Sequence, residues 1–165
     1  MQTNSLKRFV AEARNMLRRG VKDKIQALGF NSDGSIDEKN FPIKIDGGVL
    51  FMGKAWKDDS FYERWMSLYK RVNQIGLKEV CEEAAYTWFN RLMAVKIMQK
   101  NGWIDPVLDF DNPNIRVPKL VVNARNGILP PMNAVRREIL NELLDDDNLT
   151  TEQFSLLITD FCHSV

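Results

Sequence analysis

The chain has one histidine, two cysteines and no long apolar run. With His163 the single imidazole, histidine-based metal clusters and a serine–histidine triad are excluded within these 165 residues. Cys81 and Cys162 build no disulfide framework, which fits a reducing cytoplasm; Cys81 falls within a helical pattern and reads as a small buried hydrophobe. No stretch nears the roughly 20 apolar residues that span a bilayer, and the charged N-terminus lacks the apolar core of a signal peptide. A cytoplasmic protein with no membrane partner is therefore expected. Glycine is not arranged for phosphate: neither G-x-G-x-x-G nor G-x-x-x-x-G-K-[ST] occurs, and Gly47-Gly48 is better used as a turn. The acidic spacing of an EF-hand is missing, and the Asp145–Asp147 run reads as a solvated helix end. A net charge of +1 gives no whole-molecule field that would select nucleic acid or a membrane.

What is present is an ordinary globular composition, 44% apolar and 27% charged, of a length suited to one domain with one core. The stretch from Leu77 to Asn101 organises the rest. Apolar residues recur at helical spacing through Leu77, Val80, Cys81, Ala84, Ala85, Trp88, Phe89, Leu92, Val95, Ile97 and Met98. Gly76 and Gly102 bracket it, and Lys100 suits the negative end of the helix dipole. From Tyr86 to Met98 it is apolar on most of its circumference, as in a helix enclosed on nearly all sides. The polar pair Asn90-Arg91 inside that run then calls for a buried hydrogen-bond network. The expected fold is mainly α: a helical bundle around a buried central helix, 77–101, with a small β-hairpin near 43–51.

The remaining elements follow from pattern and punctuation. Residues 5–28 form a first helix, capped by Asn4 or Ser5, with an apolar stripe of Leu6, Phe9, Val10, Ala13, Leu17, Val21 and Leu28. Gly20, mid-helix, marks a close contact or a bend. Asn31 to Ser35 is a turn cluster. Ile43-Lys44-Ile45, a turn at Asp46-Gly47-Gly48, and Val49-Leu50-Phe51 make the hairpin, with Ile43, Ile45, Val49 and Phe51 on one face. Residues 59–75 form a helix capped by Asp59 or Ser60, with Phe61, Trp65, Leu68, Tyr69, Val72 and Ile75 inward. Prolines break 103–131, leaving a short helix after Pro118 that ends at Asn126-Gly127. Residues 132–145 form a helix, and Thr150 with Gln153 is a capping-box pattern opening the last one. That helix reaches Val165 while still apolar, the expectation being a fragment of something longer.

Two segments carry a family resemblance. Ala85-Tyr86-Thr87-Trp88-Phe89-Asn90-Arg91-Leu92-Met93-Ala94, followed by Met98 and Asn101-Gly102, is similar to a signature in the N-terminal region of PglX, the adenine-specific DNA methyltransferase of BREX phage-defence systems. Leu6-Lys7, Phe9, Glu12-Ala13-Arg14 and Leu17 resemble the opening of that family. Together they cover about a quarter of the chain. The resemblance implies that residues 1–165 are a single helical domain, the N-terminal fragment of a much longer enzyme. That enzyme would carry a methyl group from S-adenosylmethionine to adenine N6, with the rest of its own chain, duplex DNA and other BREX proteins as partners. Its chemistry does not carry over to any residue here. Adenine methyltransferases hold the flipped base with an Asn- or Asp-Pro-Pro-aromatic segment. Asp111-Asn112-Pro113-Asn114 lacks the second proline and the aromatic; Leu129-Pro130-Pro131-Met132 lacks the amide or acid and the aromatic. No catalytic, cofactor or metal residue is assigned.

Charge is unevenly placed. Residues 1–28 hold seven bases against two acids, and residues 138–165 hold seven acids with no lysine or arginine. Lys7, Arg14, Arg18 and Lys22 lie close together on the first helix at spacings of seven, four and four, flanked by Arg8 and Arg19. Such a row can follow a phosphate backbone. It is equally a solvated helix face, or a surface that pairs with the acidic helices or with further chain. Two other classes stay in view: a helical interaction or regulatory module without DNA, and a small complete enzyme, which the lack of nucleophile–base clusters and cofactor loops disfavours.

Overall fold

The computed structural model describes residues 3–58, 60–112 and 114–165. Among them are six α-helices and five short strands: α1 (Thr3–Ala27), β1 (Ile43–Ile45), β2 (Gly48–Phe51), β3 (Lys54–Trp56), α2 (Ser60–Ile75), α3 (Leu77–Lys100), β4 (Phe110–Asn112), β5 (Ile115–Pro118), α4 (Lys119–Arg125), α5 (Ala134–Leu144) and α6 (Thr150–Ser164). The fold is mainly α with a small antiparallel sheet, as the periodicities require. By its internal contacts the chain sorts into two compact units, Met1–Asn90 and Arg91–Val165, and α3 runs through the boundary. At 1.5 Å per residue a 24-residue helix is about 36 Å long, more than one small core can line.

The first unit is built on aromatic side chains. Trp65 of α2 is 2% exposed and packs against Phe30, Phe41, Phe51 and Tyr69, with ring centroids 5.2–6.4 Å apart where Trp65, Phe41 and Phe51 meet their neighbours. Its indole N–H donates to the Leu28 carbonyl at 3.0 Å, so the polar edge is satisfied as the ring is buried. Ile25, Val49, Val72, Leu77, Val80 and Cys81 complete the cluster. The sheet has the order β1-β2-β3, one strand more than the hairpin expected. Its register pairs Lys44 with Val49 and Ile43 with Leu50. Opposed residues share a face, so Val49 and Phe51 turn inward while Ile43 and Ile45 stand on the outer side, 58% and 42% exposed. The reading that put all four on one face is thus corrected by register.

Local punctuation explains the joints. The α1 helix begins at Thr3, so Asn4 and Ser5 sit inside its first turn rather than before it. Asp58 is the side chain that caps α2, accepting from the Ser60 N–H at 3.0 Å and the Ser60 hydroxyl at 2.6 Å; the Asp59 alternative lies outside the described residues. Gly76, at φ +85°, ends α2 by donating to the Val72 carbonyl, and its own carbonyl accepts from Val80 to start α3. Gly34, at φ +90°, lets the 31–35 turn close onto that joint: a Cβ there would stand 3.0 Å from Val72 and 3.2 Å from Leu77.

In α3, Leu77, Val80, Cys81, Ala85 and Val95 are buried, while Trp88, Phe89 and Leu92 are half-buried. The opposite side is open: Tyr86 is 62% and Ile97 52% exposed, and Asn90 is exposed. The enclosed central helix of the sequence reading is therefore a one-sided helix. Its apolar stripe is real, but Tyr86 and Ile97 fall outside the stripe's angular width. Of the polar pair, Asn90 meets solvent and needs no buried partner, while Arg91 is half-buried.

In the second unit α6 packs on α4 and α5, burying Leu157 and Ile158 of α6, Leu120, Val121 and Ala124 of α4 and Leu140 of α5. Gln153 is fully buried and replaces the expected capping box. Its amide donates to the carbonyls of Leu143 and Asp146 at 2.7 and 2.9 Å, and its oxygen accepts from Arg125 at 2.8 and 3.1 Å. Arg136 pairs with Asp160 at 2.8 Å. The β4–β5 hairpin carries no alternating pattern in sequence and went unseen there; its register shifts between Phe110 and Asn112.

Candidate nucleic-acid interface

The α1 helix places Lys7, Arg8, Arg14, Arg18, Arg19 and Lys22 all in solvent. Its N-terminal half also leaves apolar residues open, with Leu6 49%, Phe9 51% and Met16 61% exposed. Only from Val21 onward does the stripe meet the core, ending in buried Ile25. The expected continuous packing of Leu6 to Leu28 thus holds for the C-terminal turns only.

The cations do not all do the same thing. Arg14 and Arg18, one helical turn apart, converge on Glu82 of α3: Arg14 Nη2 donates to Oε2 at 2.9 Å and Arg18 Nη1 to Oε1 at 2.8 Å. These hydrogen bonds, Arg18 first and Arg14 next, hold the Glu82 carboxyl below the usual carboxylate range. Arg8 stands 3.8 Å from Glu12 with both side chains more than two-thirds exposed, a pair of negligible strength. Lys7, Arg14 and Arg18 line a groove of about 750 Å³ with Leu6, Val10 and Glu82. Arg18, Arg19 and Lys22 line a second hollow of about 540 Å³ with Lys78, Asp33, Leu77 and Cys81. Lys7, Arg19 and Lys22 form no ion pair among the described residues.

Two residues at this face were missed by sequence reasoning, Glu82 and Lys78. Both lie on α3, where the apolar stripe dominates the pattern and the polar side draws no attention. The four-residue interval of Arg14 and Arg18 signals that both aim at one point, but the point lies 64 to 68 residues away and only the fold names it. Burial pushes the Cys81 thiol up, against the opposing charge of Lys22, so it stays neutral and serves packing.

The chain is similar to adenine-specific methyltransferases. It is 32% identical over 105 residues, 64% of its length, to the adenine-specific methyltransferase BrxX of Escherichia coli O9:H4 (strain HS). It is 28% identical over 111 residues to the adenine-specific methyltransferase PglX of Lacticaseibacillus casei (strain Zhang). The similarity to PglX read from Ala85–Ala94 and from the opening of the chain is thus borne out, over 63–64% of the chain's length. The match spans about 9% of the length of each of these curated relatives. No protein-family model matches the chain. No solved structure matches it.

Gly47 and Gly48 join two antiparallel strands rather than a strand to a helix, so they make no dinucleotide-type loop for the adenosyl part of S-adenosylmethionine. The Leu129–Met132 segment is a loop between α4 and α5 with Pro130 buried, and Pro113 of the other proline segment lies outside the described residues. No helix among the described residues is long and apolar enough to cross a membrane, and no group of His, Cys, Asp or Glu there could hold a metal ion.

Proposed function

We propose that this chain is the N-terminal helical segment of a longer adenine-specific DNA methyltransferase of the BREX phage-defence type, acting in the cytoplasm. In this reading it supports the catalytic part and engages the DNA backbone through α1, while S-adenosylmethionine and the target adenine are held by the rest of the enzyme. The observation that carries the reading is the 32% identity to BrxX over 105 residues. The lack of an Asn-Pro-Pro-aromatic segment supports a scaffolding role.

Two measurements test it. Incubated with labelled S-adenosylmethionine and duplex DNA, the 165-residue protein should transfer no methyl group to adenine; measurable transfer overturns the scaffold reading. DNA affinity should fall steeply with salt, because each neutralised phosphate releases counterions. Arg14 and Arg18 hold Glu82, so Lys7→Gln and Arg8→Gln are the cleaner substitutions. Together they should lower the salt slope by about 2 if both touch phosphate. An unchanged slope and affinity removes this end of α1 from the DNA contact. The exposed Leu6, Phe9 and Met16 favour a second reading, an interaction module that binds another protein segment. Salt-insensitive behaviour with no DNA binding would select it.

A further inference from the structure

The hollow at the foot of α1 has a composition that the row of cations does not explain. Four bases from two helices border it: Arg18, Arg19 and Lys22 of α1, and Lys78 of α3. One acid, Asp33, lies among them, and its carboxylate is turned to its own loop, accepting from the Ser35 N–H at 2.9 Å and the Ser35 hydroxyl at 2.7 Å. Arg18 is shared with Glu82, while Arg19, Lys22 and Lys78 form no ion pair among the described residues. Like charges gathered round a hollow repel, and they are relieved when an anion enters. The first turn of α3 adds to this. Gly76 precedes it without a side chain to cap the leading N–H groups, which carry partial positive charge. The floor is Leu77 and Cys81, apolar and buried. At about 540 Å³ the hollow has room for more than a bare anion.

We propose that this hollow binds a phosphate group, with Arg19, Lys22 and Lys78 as its ligands and the apolar floor under the sugar attached to it. The phosphate belongs either to a nucleic-acid backbone or to a free nucleotide. The inference deepens the reading of α1 as a DNA-facing helix and rests on that reading only for the source of the phosphate.

The test uses the ¹⁵N-labelled 165-residue protein, titrated with inorganic phosphate against chloride at matched ionic strength. Saturable shifts are expected at the amides of Leu77, Lys78 and Glu79. Lys22→Gln with Lys78→Gln should weaken binding roughly tenfold or more, as expected for loss of charge-assisted contacts. Lys100→Gln, exposed at the far end of α3 and outside the hollow, should leave it unchanged. Spectra that coincide away from residues 18–35 and 76–82 show that the variants remain folded. Shifts no larger than those from chloride, or equal in the double variant, overturn the site. The source is read by competition. A short duplex that displaces phosphate from these amides assigns the backbone. Adenosine monophosphate displacing it where duplex does not assigns a free nucleotide; the site then stands while the DNA reading of α1 falls.

Discussion

At the residue scale, Gly20 and Glu82 show how the local environment sets the effect of a substitution. Gly20 lies on an exposed stretch of α1, and a Cβ built on it meets nothing within 4 Å. The close contact expected of it is absent, so the helix penalty of glycine is what a substitution removes. Gly20→Ala should raise stability by about 1 kcal/mol, read as a higher urea midpoint at unchanged slope. Glu82 is the opposite case. Its carboxyl is held below its ordinary value of 4.5 in the folded chain, so its contribution is complete above that value and is lost as pH falls through the folded pKa. Glu82→Gln should be less stable than the parent near neutral pH, and the two urea midpoints should converge as pH falls below 4.5 and through the lowered folded pKa. Asp33, Glu63 and Asp109 are lowered too, by hydrogen bonds from Ser35, Lys44 and Lys96 in turn. The Glu82→Gln variant therefore keeps part of the parent's acid sensitivity.

At the element scale, helices were legible and their partners were not. The 3.6-residue repeat located α1, α2 and α3 because each buries a stripe, and a stripe is written in the sequence whatever lies against it. Enclosure is different. Tyr86 and Ile97 are apolar on an exposed side, and residue type alone does not tell a buried apolar position from a bare one. The sheet was half legible: Asp46-Gly47 announced a turn, yet the alternation of β1 and β2 was assigned to the wrong side, since register is settled between strands. The row of cations on α1 was legible as a row; the clamp on Glu82 and the presence of Lys78 beside Lys22 are long-range facts. Gln153 shows the same limit. Its spacing from Thr150 matches a cap, but the fold uses it as the junction of Arg125 with the ends of α5 and the following turn. Gln153→Leu keeps the bulk and strips the hydrogen bonds, leaving buried polar groups unanswered. A loss of about 2–3 kcal/mol is expected in chemical denaturation.

At the scale of the whole molecule, each unit has buried side chains of its own. Trp65 is central to the first, and Trp65→Ala should cost about 3–5 kcal/mol there. Hydrogen exchange is the suitable reading, because it reports protection locally. Protection should fall further across Met1–Asn90 than across Arg91–Val165. An equal fall across both would mean that the two units open as one cooperative body.

The small sheet has one more consequence. Its order leaves β1 and β3 as open edges, and its outer side shows Ile43, Ile45 and Leu50 to water. Bare strand edges beside an oily surface invite other chains to add on and seed aggregates. Each edge strand carries a lysine: Lys44 in β1 is held by Glu63 at 2.6 Å, and Lys54 in β3 is exposed, so adding a strand on that side would strip water from its charge. Lys54→Ile is therefore expected to raise light scattering at high protein concentration, a consequence separate from anything the cations of the first helix do.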